Sequence, residues 1–435
     1  MNVLVIDTDA VGLAFCWRCS LAGHKVRWFV KPKETNHKDV GKGFSIEKVE
    51  NWVSHVKWAD LIFPTGNDDY IKRLDFFRKN GAMVFGPTTE SASLEIERSK
   101  GMAFLEQNGI EVPAYKKFAS LEEAEAHVRK TEEQYVFKTL GDNEDKSLSY
   151  VSKSPADMIA RIQHWKKIKL NPKGPVILQK FIKGIEMGVS RWMGIDGFIG
   201  LWDEHFEHKK LMSDDCGPNT GEMGTVQAYT GKSKLGDDYL SKLEVPLKEM
   251  GHTGDMAVGF IIDDKGKAWP TEFTNRPGWP AMNIMLSQHR GDPVKWMLDA
   301  LRGKDTFKAT QDIAVGLVFA QPDFPYSNMT KSETEGIPIY APESKDIQPQ
   351  SVKIEKQPVM EGGKVVEKDC WSSCGDYLGV VTGTAGNVSA ARGKAYNLMD
   401  KIEVPNKLFR DDVGEKLKEK LPILHKQGFA LAFNY

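Results

Sequence analysis

A chain of 435 residues with 59 lysines and arginines against 60 acids carries a net charge of −1. That length exceeds what one core fills, so two to four domains of roughly 100 to 200 residues are expected, and the balanced charge gives no surface built for duplex nucleic acid or anionic lipid. Five cysteines make no disulfide framework, and no apolar run reaches the roughly 20 residues of a bilayer span, so the sequence reads as a cytoplasmic protein.

In chain order, Val3 to Ile6 reads as a buried strand, Gly12 to Ala22 as a helix and Lys25 to Val30 as a second strand. Leu61 to Pro64 adds a strand, Asp69 to Asn80 a helix, and Met83 to Phe85 a strand closed by Gly86-Pro87-Thr88. This is the β-α-β pattern of a doubly wound α/β domain. Cys16 and Cys19 would share a helix face there and pack as small apolar residues rather than bind metal. One helix is expected from Ser91 to Gly109. Strands follow at Tyr135 to Lys138 and Val176 to Gln179. Met256 to Ile262 and Ala268 to Phe273 flank the turn Asp263 to Gly266, a hairpin that delivers Glu272 at a strand end. Pro322 to Gln350 reads as an irregular excursion, Tyr377 to Thr382 as a strand and Val388 to Met399 as a helix. No fixed-period repeat is present.

The central third holds the residues suited to phosphate chemistry. Lys138 ends an aromatic, β-branched strand, and Lys146 follows a polar turn at 141–145, an arrangement able to clamp a polyphosphate. Glu186 could accept hydrogen bonds from ribose hydroxyls. Residues 217–224 read Gly-Pro-Asn-Thr-Gly-Glu-Met-Gly, a stretch that suits a backbone folded tightly around a small anion.

The succession Lys100, Lys138, Lys146, Gln179 to Ile182, Glu186, Gly217 to Gly224 and Glu272 to Arg276 resembles the ordered parts of an ATP-grasp carboxylate-amine ligase. More narrowly, the chain resembles glycinamide ribonucleotide synthetase (phosphoribosylamine-glycine ligase) from end to end. That likeness runs through Phe85-Gly86-Pro87-Thr88, Ser99-Lys100, His208-Lys209-Lys210, Gly217-Pro218-Asn219-Thr220-Gly221, Met223-Gly224, Glu272-Phe273, Arg276 and Phe409-Arg410-Asp411-Asp412-Val413-Gly414. It implies a doubly wound preATP-grasp domain over 1–90, an ATP-grasp domain over 91–305 with a lid at 112–180, and a C-terminal α+β domain over 306–435. It also implies that Lys100, Lys138 and Lys146 contact ATP phosphates, that Gln179, Lys180, Phe181 and Ile182 form the adenine-reading hinge, and that Glu186 holds the ribose. Glu272 and Asn275 would ligate Mg2+. Gly217, Pro218, Glu222, Met223 and Gly224 would hold the carboxylate, with Lys210, Asn219, Thr220, Gly221 and Arg276 acting on the acyl phosphate made from it.

The sequence departs from the family at its edges. Asp7-Thr8-Asp9-Ala10-Val11-Gly12 stands where the family has a glycine-rich loop for the phosphate of phosphoribosylamine, and carboxylates there would repel a phosphate. Pro64 to Asp69 is also acidic. Asp9 and Asp68 are therefore expected to receive a cationic amine other than phosphoribosylamine. Thr274 holds the place of the family's metal-binding asparagine, so Asn275 would need a strand bulge to face Glu272. Glu222 replaces a glycine inside the octapeptide. The expectation is an ATP-dependent ligase, monomer or homodimer, joining a small carboxylate to an amine. The alternatives are the family's own reaction and a non-catalytic ATP-binding homologue.

Overall fold

The computed structural model describes residues 1–32, 38–67, 69–139, 149–170, 172, 174–327 and 331–435, with side chains described from 333 in the last segment. Lys146, the turn before it and Asp68 lie outside the described residues.

The N-terminal strands β1 (Asn2–Asp7), β2 (Lys25–Val30), β3 (Glu47–Val49) and β4 (Leu61–Pro64) form a parallel sheet in the order β3-β2-β1-β4. Parallel strands need covered faces, which is why β1 is an almost unbroken apolar run and is buried from Val3 onward. Helix α1 (Leu13–Leu21) covers one face and buries Cys16 and Cys19, whose thiols burial pushes well above their usual range. Helix α2 (Ile71–Lys79) covers the other with Leu74 and Ile71. Met83 to Phe85 reduces to one parallel bridge, Ile62 to Val84.

The helix expected from Ser91 to Gly109 is two: α3 (Thr89–Ile96) and α4 (Arg98–Gln107), separated at Glu97 with φ −104° and ψ 85°. Thr88 and Ser91 form a reciprocal cap at the start of α3. The break lets α4 set off in a new direction from Arg98, and α4 packs so closely that a side-chain carbon at Gly101 would meet the Leu94 carbonyl at 2.4 Å.

Within the segment expected to form the lid, β5 (Tyr115–Phe118), β6 (Tyr135–Thr139), β7 (Tyr150–Val151) and β8 (Val176–Lys180) pair in the order β5-β8-β6-β7. Helices α5 (Leu121–Val128) and α6 (Pro155–Lys167) cover this sheet. Its core, centred on Phe137, Met158 and Trp165, is separate from the main one.

The largest sheet contains β9 (Gly184–Gly194), β10 (Gly197–Glu207), β13 (Gly224–Thr230), β14 (Gly254–Asp263) and β15 (Ala268–Thr274), with β11 (Lys210–Met212) and β12 (Cys216–Asn219) forming a small ribbon at its edge. It continues past residue 306 through β16 (Ile313–Ala320), wholly buried, which pairs with β13 on one side and β21 (Tyr377–Ala385) on the other. The order is β15-β14-β9-β10-β13-β16-β21-β18, where β18 is Ile347–Pro349, and β22 (Leu408–Phe409) also pairs with β16. The excursion from Pro322 to Gln350 contains two of these strands, β17 (Glu335–Ile339) and β18. With β19 (Val352–Glu361) and β20 (Lys364–Cys374), β17 makes a three-stranded sheet. Local composition hid them because their pairing partners lie far along the chain. Among the described residues no helix is long and apolar enough to cross a membrane.

Candidate functional site

Period-two alternation sets which side chains share a sheet face. On β10 it aims Asp203, His205 and Glu207 the same way, and Lys209 follows just beyond the strand end. Register places Gly188 and Ser190 of β9, and Ala257 and Gly259 of β14, on that face. Glu272 lies opposite Gly259. One cavity is lined by these residues together with Glu186 and Thr274.

Lys209 is the centre of this arrangement. Its Nζ lies 3.0 Å from Glu186, 3.2 Å from Glu207 and 3.3 Å from Glu272. Against the removal from water that would release its proton, these carboxylates hold the ammonium well above the usual lysine range. Glu272 also faces Arg98 at 3.6 Å. Against burial, Lys209, Arg98 and Lys138 pull the Glu272 carboxyl down to about 2, so it is ionised. Lys138 is held by a 2.7 Å bond to Gln179 Oε1, and removal from water followed by Arg98 brings its ammonium down to about 8. Three cations and three carboxylates thus converge where strand ends meet the lid. A phosphate chain arriving there would exchange places with carboxylates that the same cations now neutralise.

Lys100 is not in this group: its ammonium pairs with Glu97 one helical turn away. Arg98, two residues earlier in the same first turn of α4, is the side chain that faces Glu272. Lys210 likewise turns from the centre and donates to the Gly217 carbonyl at 3.3 Å, while its neighbour Lys209 faces in. Strand alternation explains the exchange, and the spaced polar series Asp203, His205, Glu207, Lys209 was the sequence signal for it.

The hinge residues join β8 to β9. Gln179 lies in the lid ladder, Lys180 donates its N–H to Ala114 and Phe181 to Gln134, and the Lys180 ammonium pairs with Glu133 at 2.6 Å. Ile182 follows, half-buried. Glu186 is exposed at the cavity mouth.

The octapeptide is tied down from both sides. Thr220 donates its N–H at 2.8 Å and its hydroxyl at 2.9 Å to the Lys209 carbonyl, and Met223 donates to the His208 carbonyl. Met223 is buried against Val318 and Val380. Gly217 has φ +78°, and at Gly224 a side-chain carbon would meet the Gly316 carbonyl at 2.6 Å, so both positions need glycine. Pro218 and Asn219 complete the β12 ribbon, and Gly221 faces open space. Glu222 is buried, and burial followed by Glu207 pushes its carboxyl well above the usual range. Beneath the loop, buried Arg410 bonds Asp215, Asp412 and the Lys210 carbonyl, and Gly414 donates to His208 at 3.0 Å. The Phe409 to Gly414 motif therefore supports the octapeptide.

Asn275 does not accompany Glu272. The bulge in β15 falls at Thr271, before Glu272, so alternation stands beyond it and Thr274 enters the cavity instead. Asn275 turns away, fully buried, donating to the Ser91 carbonyl and accepting from Asn67 at 2.7 Å. Arg276 pairs with Glu95 at 3.1 Å, and Glu95 also accepts from Asn67 and from the Asn275 N–H. This bracket holds the N-terminal sheet against the central one.

At the N-terminal loop a different residue governs. Asp7 is fully buried and accepts from the N–H of Gly12 at 2.7 Å, the indole of Trp28 at 3.1 Å, the hydroxyl of Thr65 at 2.9 Å and the N–H of Asp9 at 3.1 Å. Gly12 caps α1, so the donor that would greet an anion at this helix terminus already holds one. Asp9 is exposed and accepts from Thr8 at 3.0 Å.

Residues 98–250 match the family described as phosphoribosylglycinamide synthetase, ATP-grasp (A) domain. A phosphoribosylamine–glycine ligase of Escherichia coli O157:H7 is 26% identical over 453 aligned residues, covering 97% of this chain and 99% of that protein. The crystal structure of a phosphoribosylamine–glycine ligase from Thermotoga maritima superposes with a TM-score of 0.70 at 22% identity, covering 95% of this chain and all of that one. A biotin carboxylase from Campylobacter jejuni superposes at 0.63 with 12% identity over 97% of this chain and 96% of its own. The chain thus resembles the phosphoribosylamine–glycine ligases and has a mixed α/β multidomain fold with an ATP-grasp domain in the middle.

Proposed function

We propose that this ATP-dependent ligase activates a small carboxylic acid as its acyl phosphate and transfers the acyl group to an amine other than phosphoribosylamine. The observation that carries the reading is the cradle of Arg98, Lys138 and Lys209 around Glu272, joined to the octapeptide through the Lys209 carbonyl. The relatives named as ligases support the reaction class.

The first step brings a carboxylate onto the terminal phosphorus of ATP, two anions in contact, and needs positive charge fixed in advance. The carboxylate oxygen bonds to phosphorus while the bridging oxygen leaves with ADP. Lys138 and Lys209 would hold the phosphate oxygens, and Arg276 with the backbone N–H groups of the octapeptide would orient the carboxylate. In the second step the amine nitrogen attacks the acyl carbon, phosphate leaves, and the nitrogen's proton departs with it. No nucleophilic side chain is required. Closure of the lid over 112–180 would keep water from the anhydride.

Magnesium fits this site through few protein ligands. Among the described residues no group of three histidine, cysteine or carboxylate side chains forms a metal cage, but Mg2+ is usually held by one or two carboxylates plus substrate phosphates. Glu272, ionised and half exposed, would supply the carboxylate, with Glu186 beside it, and the ion would neutralise phosphate charge.

Asp7 supports an acceptor without a ribose phosphate, because its carboxylate takes the N–H of Gly12 at the start of α1 and the indole N–H of Trp28 on β2. Incubating the protein with ATP, Mg2+, an amino-acid panel and hydroxylamine tests the reaction class without knowledge of the acceptor. At least one carboxylate should give a hydroxamate with matching ADP. Nucleotide binding with no hydroxamate from any carboxylate would overturn the reading.

A further inference from the structure

Behind the carboxylates around Lys209 the cavity runs inward along the face of β9, β10 and β14, past the short side chains of Gly259 and Ala257, with the His205 ring lying against Gly188. Its inner end is made by Ser190, Asp203 and Asp255, which are 1%, 1% and 3% exposed. Buried polar atoms nearly always have a hydrogen-bond partner. Here Ser190 Oγ, both carboxylate oxygens of Asp203, Asp255 Oδ1 and His205 Nδ1 have none at full hydrogen-bond geometry, although Ser190 stands near enough to both acids, and His205 to Asp203, to favour their charged forms. His205 stands between the two ends of the cavity, 3.7 Å from Asp203 through Nδ1 and 3.5 Å from Glu207 through Nε2, close enough to feel both charges.

One imidazole does not balance Asp203 and Asp255. Burial, and after it Asp203, pushes the Asp255 carboxyl up to about 8, and burial raises Asp203 as well, so the recess without a cation is a place that holds protons. An apolar occupant would leave the acceptors unmet, and an anion would be repelled. A cation bearing several N–H groups meets both demands: it supplies the missing charge and donates to more than one acceptor.

We propose that this recess binds the cationic end of one of the two substrates, an ammonium or guanidinium on an unbranched chain, with the rest of that molecule reaching out to Lys209 and Glu272. The proposal rests on the ligase reading and adds the substrate class. Asp203 stands four positions before Glu207 on β10, roughly 13 Å of strand at a rise of about 3.3 Å per residue. Their side chains close the gap enough for one imidazole to stand 3.7 Å from Asp203 and 3.5 Å from Glu207, a reach that a chain of about five atoms matches. Ala257, Gly259, Gly278 and Ala281 line the way, side chains short enough to leave room for methylenes.

Calorimetric titration of the full chain, with Mg2+ and a non-hydrolysable ATP analogue present, tests this with matched probes: lysine against norleucine, and cadaverine against pentanol. Binding of a cationic probe about tenfold or more tighter than its neutral twin is expected. The Asp203→Asn variant should lose that preference while its affinity for the analogue stays unchanged. Asp203 is buried, so Ala257→Leu, which narrows the slot without touching a charge, should separately abolish binding of the cation. Preference for lysine alone assigns the recess to the carboxylate donor, and preference for cadaverine alone to the amine acceptor; either supports the proposal. It is overturned if neutral twins bind as well as cations, if neither cation binds while the analogue does, or if both variants bind the cation normally. Cation binding without any analogue binding would instead overturn the ligase reading and leave the recess standing.

Discussion

Two places in this molecule are shaped to meet an anion, and they are filled in opposite ways. At the start of α1 the donors of Gly12, Trp28, Thr65 and Asp9 close on Asp7, a carboxylate of the chain itself with no exposed surface. At the end of β10 the cations Lys209, Arg98 and Lys138 gather around carboxylates that remain partly in water, Glu272 among them. An internal anion at full burial cannot step aside for a ligand without leaving its donors unmet. Glu272 and Glu186, half exposed and paired with side-chain ammonium and guanidinium groups, would yield to a phosphate chain under the proposed function. Under the proposed function, one anion site stays available to a ligand while a single side chain fills the other.

Lys209→Met removes the cation shared by three carboxylates, and ADP release should fall at least about a thousandfold, since fixed charge is usually the largest catalytic contribution; activity within tenfold of the parent would remove Lys209 from the centre. Glu272→Gln should cost about a hundredfold in turnover while affinity for an ATP analogue changes less than about threefold. Lys138, whose ammonium titrates at about 8 in the free protein, is charged below that pH and neutral above it. Analogue affinity should therefore weaken by up to about tenfold as pH rises through 8, and Lys138→Arg, which stays charged, should flatten the profile. The smallest effect belongs to the closed site. Asp7→Asn sets an amide N–H against donors, so urea unfolding should show a loss of about 1–3 kcal/mol with turnover unchanged.

Several features of this architecture were legible because local chemistry dictates them. The apolar run of β1 announces a parallel sheet, and Gly217 and Gly224 announce the octapeptide because a left-handed turn and a close backbone approach admit little else. The hairpin delivering Glu272 followed from its turn residues. What could not be read were features set by distant partners. The strands inside the excursion from Pro322 to Gln350 pair with segments far along the chain, and the recess at Asp203 and Asp255 exists only because β9 joins β10 and β14 in one register. The choice of Lys209 over Lys210 lay between these cases. The alternation from Asp203 to Lys209 carried the information, but only with the strand's end placed correctly did it say which lysine faces inward. Asn275 was misplaced for a like reason, since the bulge that would have turned it toward Glu272 occurs at Thr271 instead.

The contrast itself is tested by supplying glycine and ATP with two kinds of acceptor and following ADP: phosphoribosylamine generated in place, and simple amines lacking a phosphate. With Asp7 closing the N-terminal loop and the Lys209 centre open, phosphoribosylamine should raise ADP release no further than glycine alone does, while a phosphate-free amine with its proper carboxylate raises it severalfold. Saturable, stoichiometric turnover of phosphoribosylamine with glycine would contradict the account.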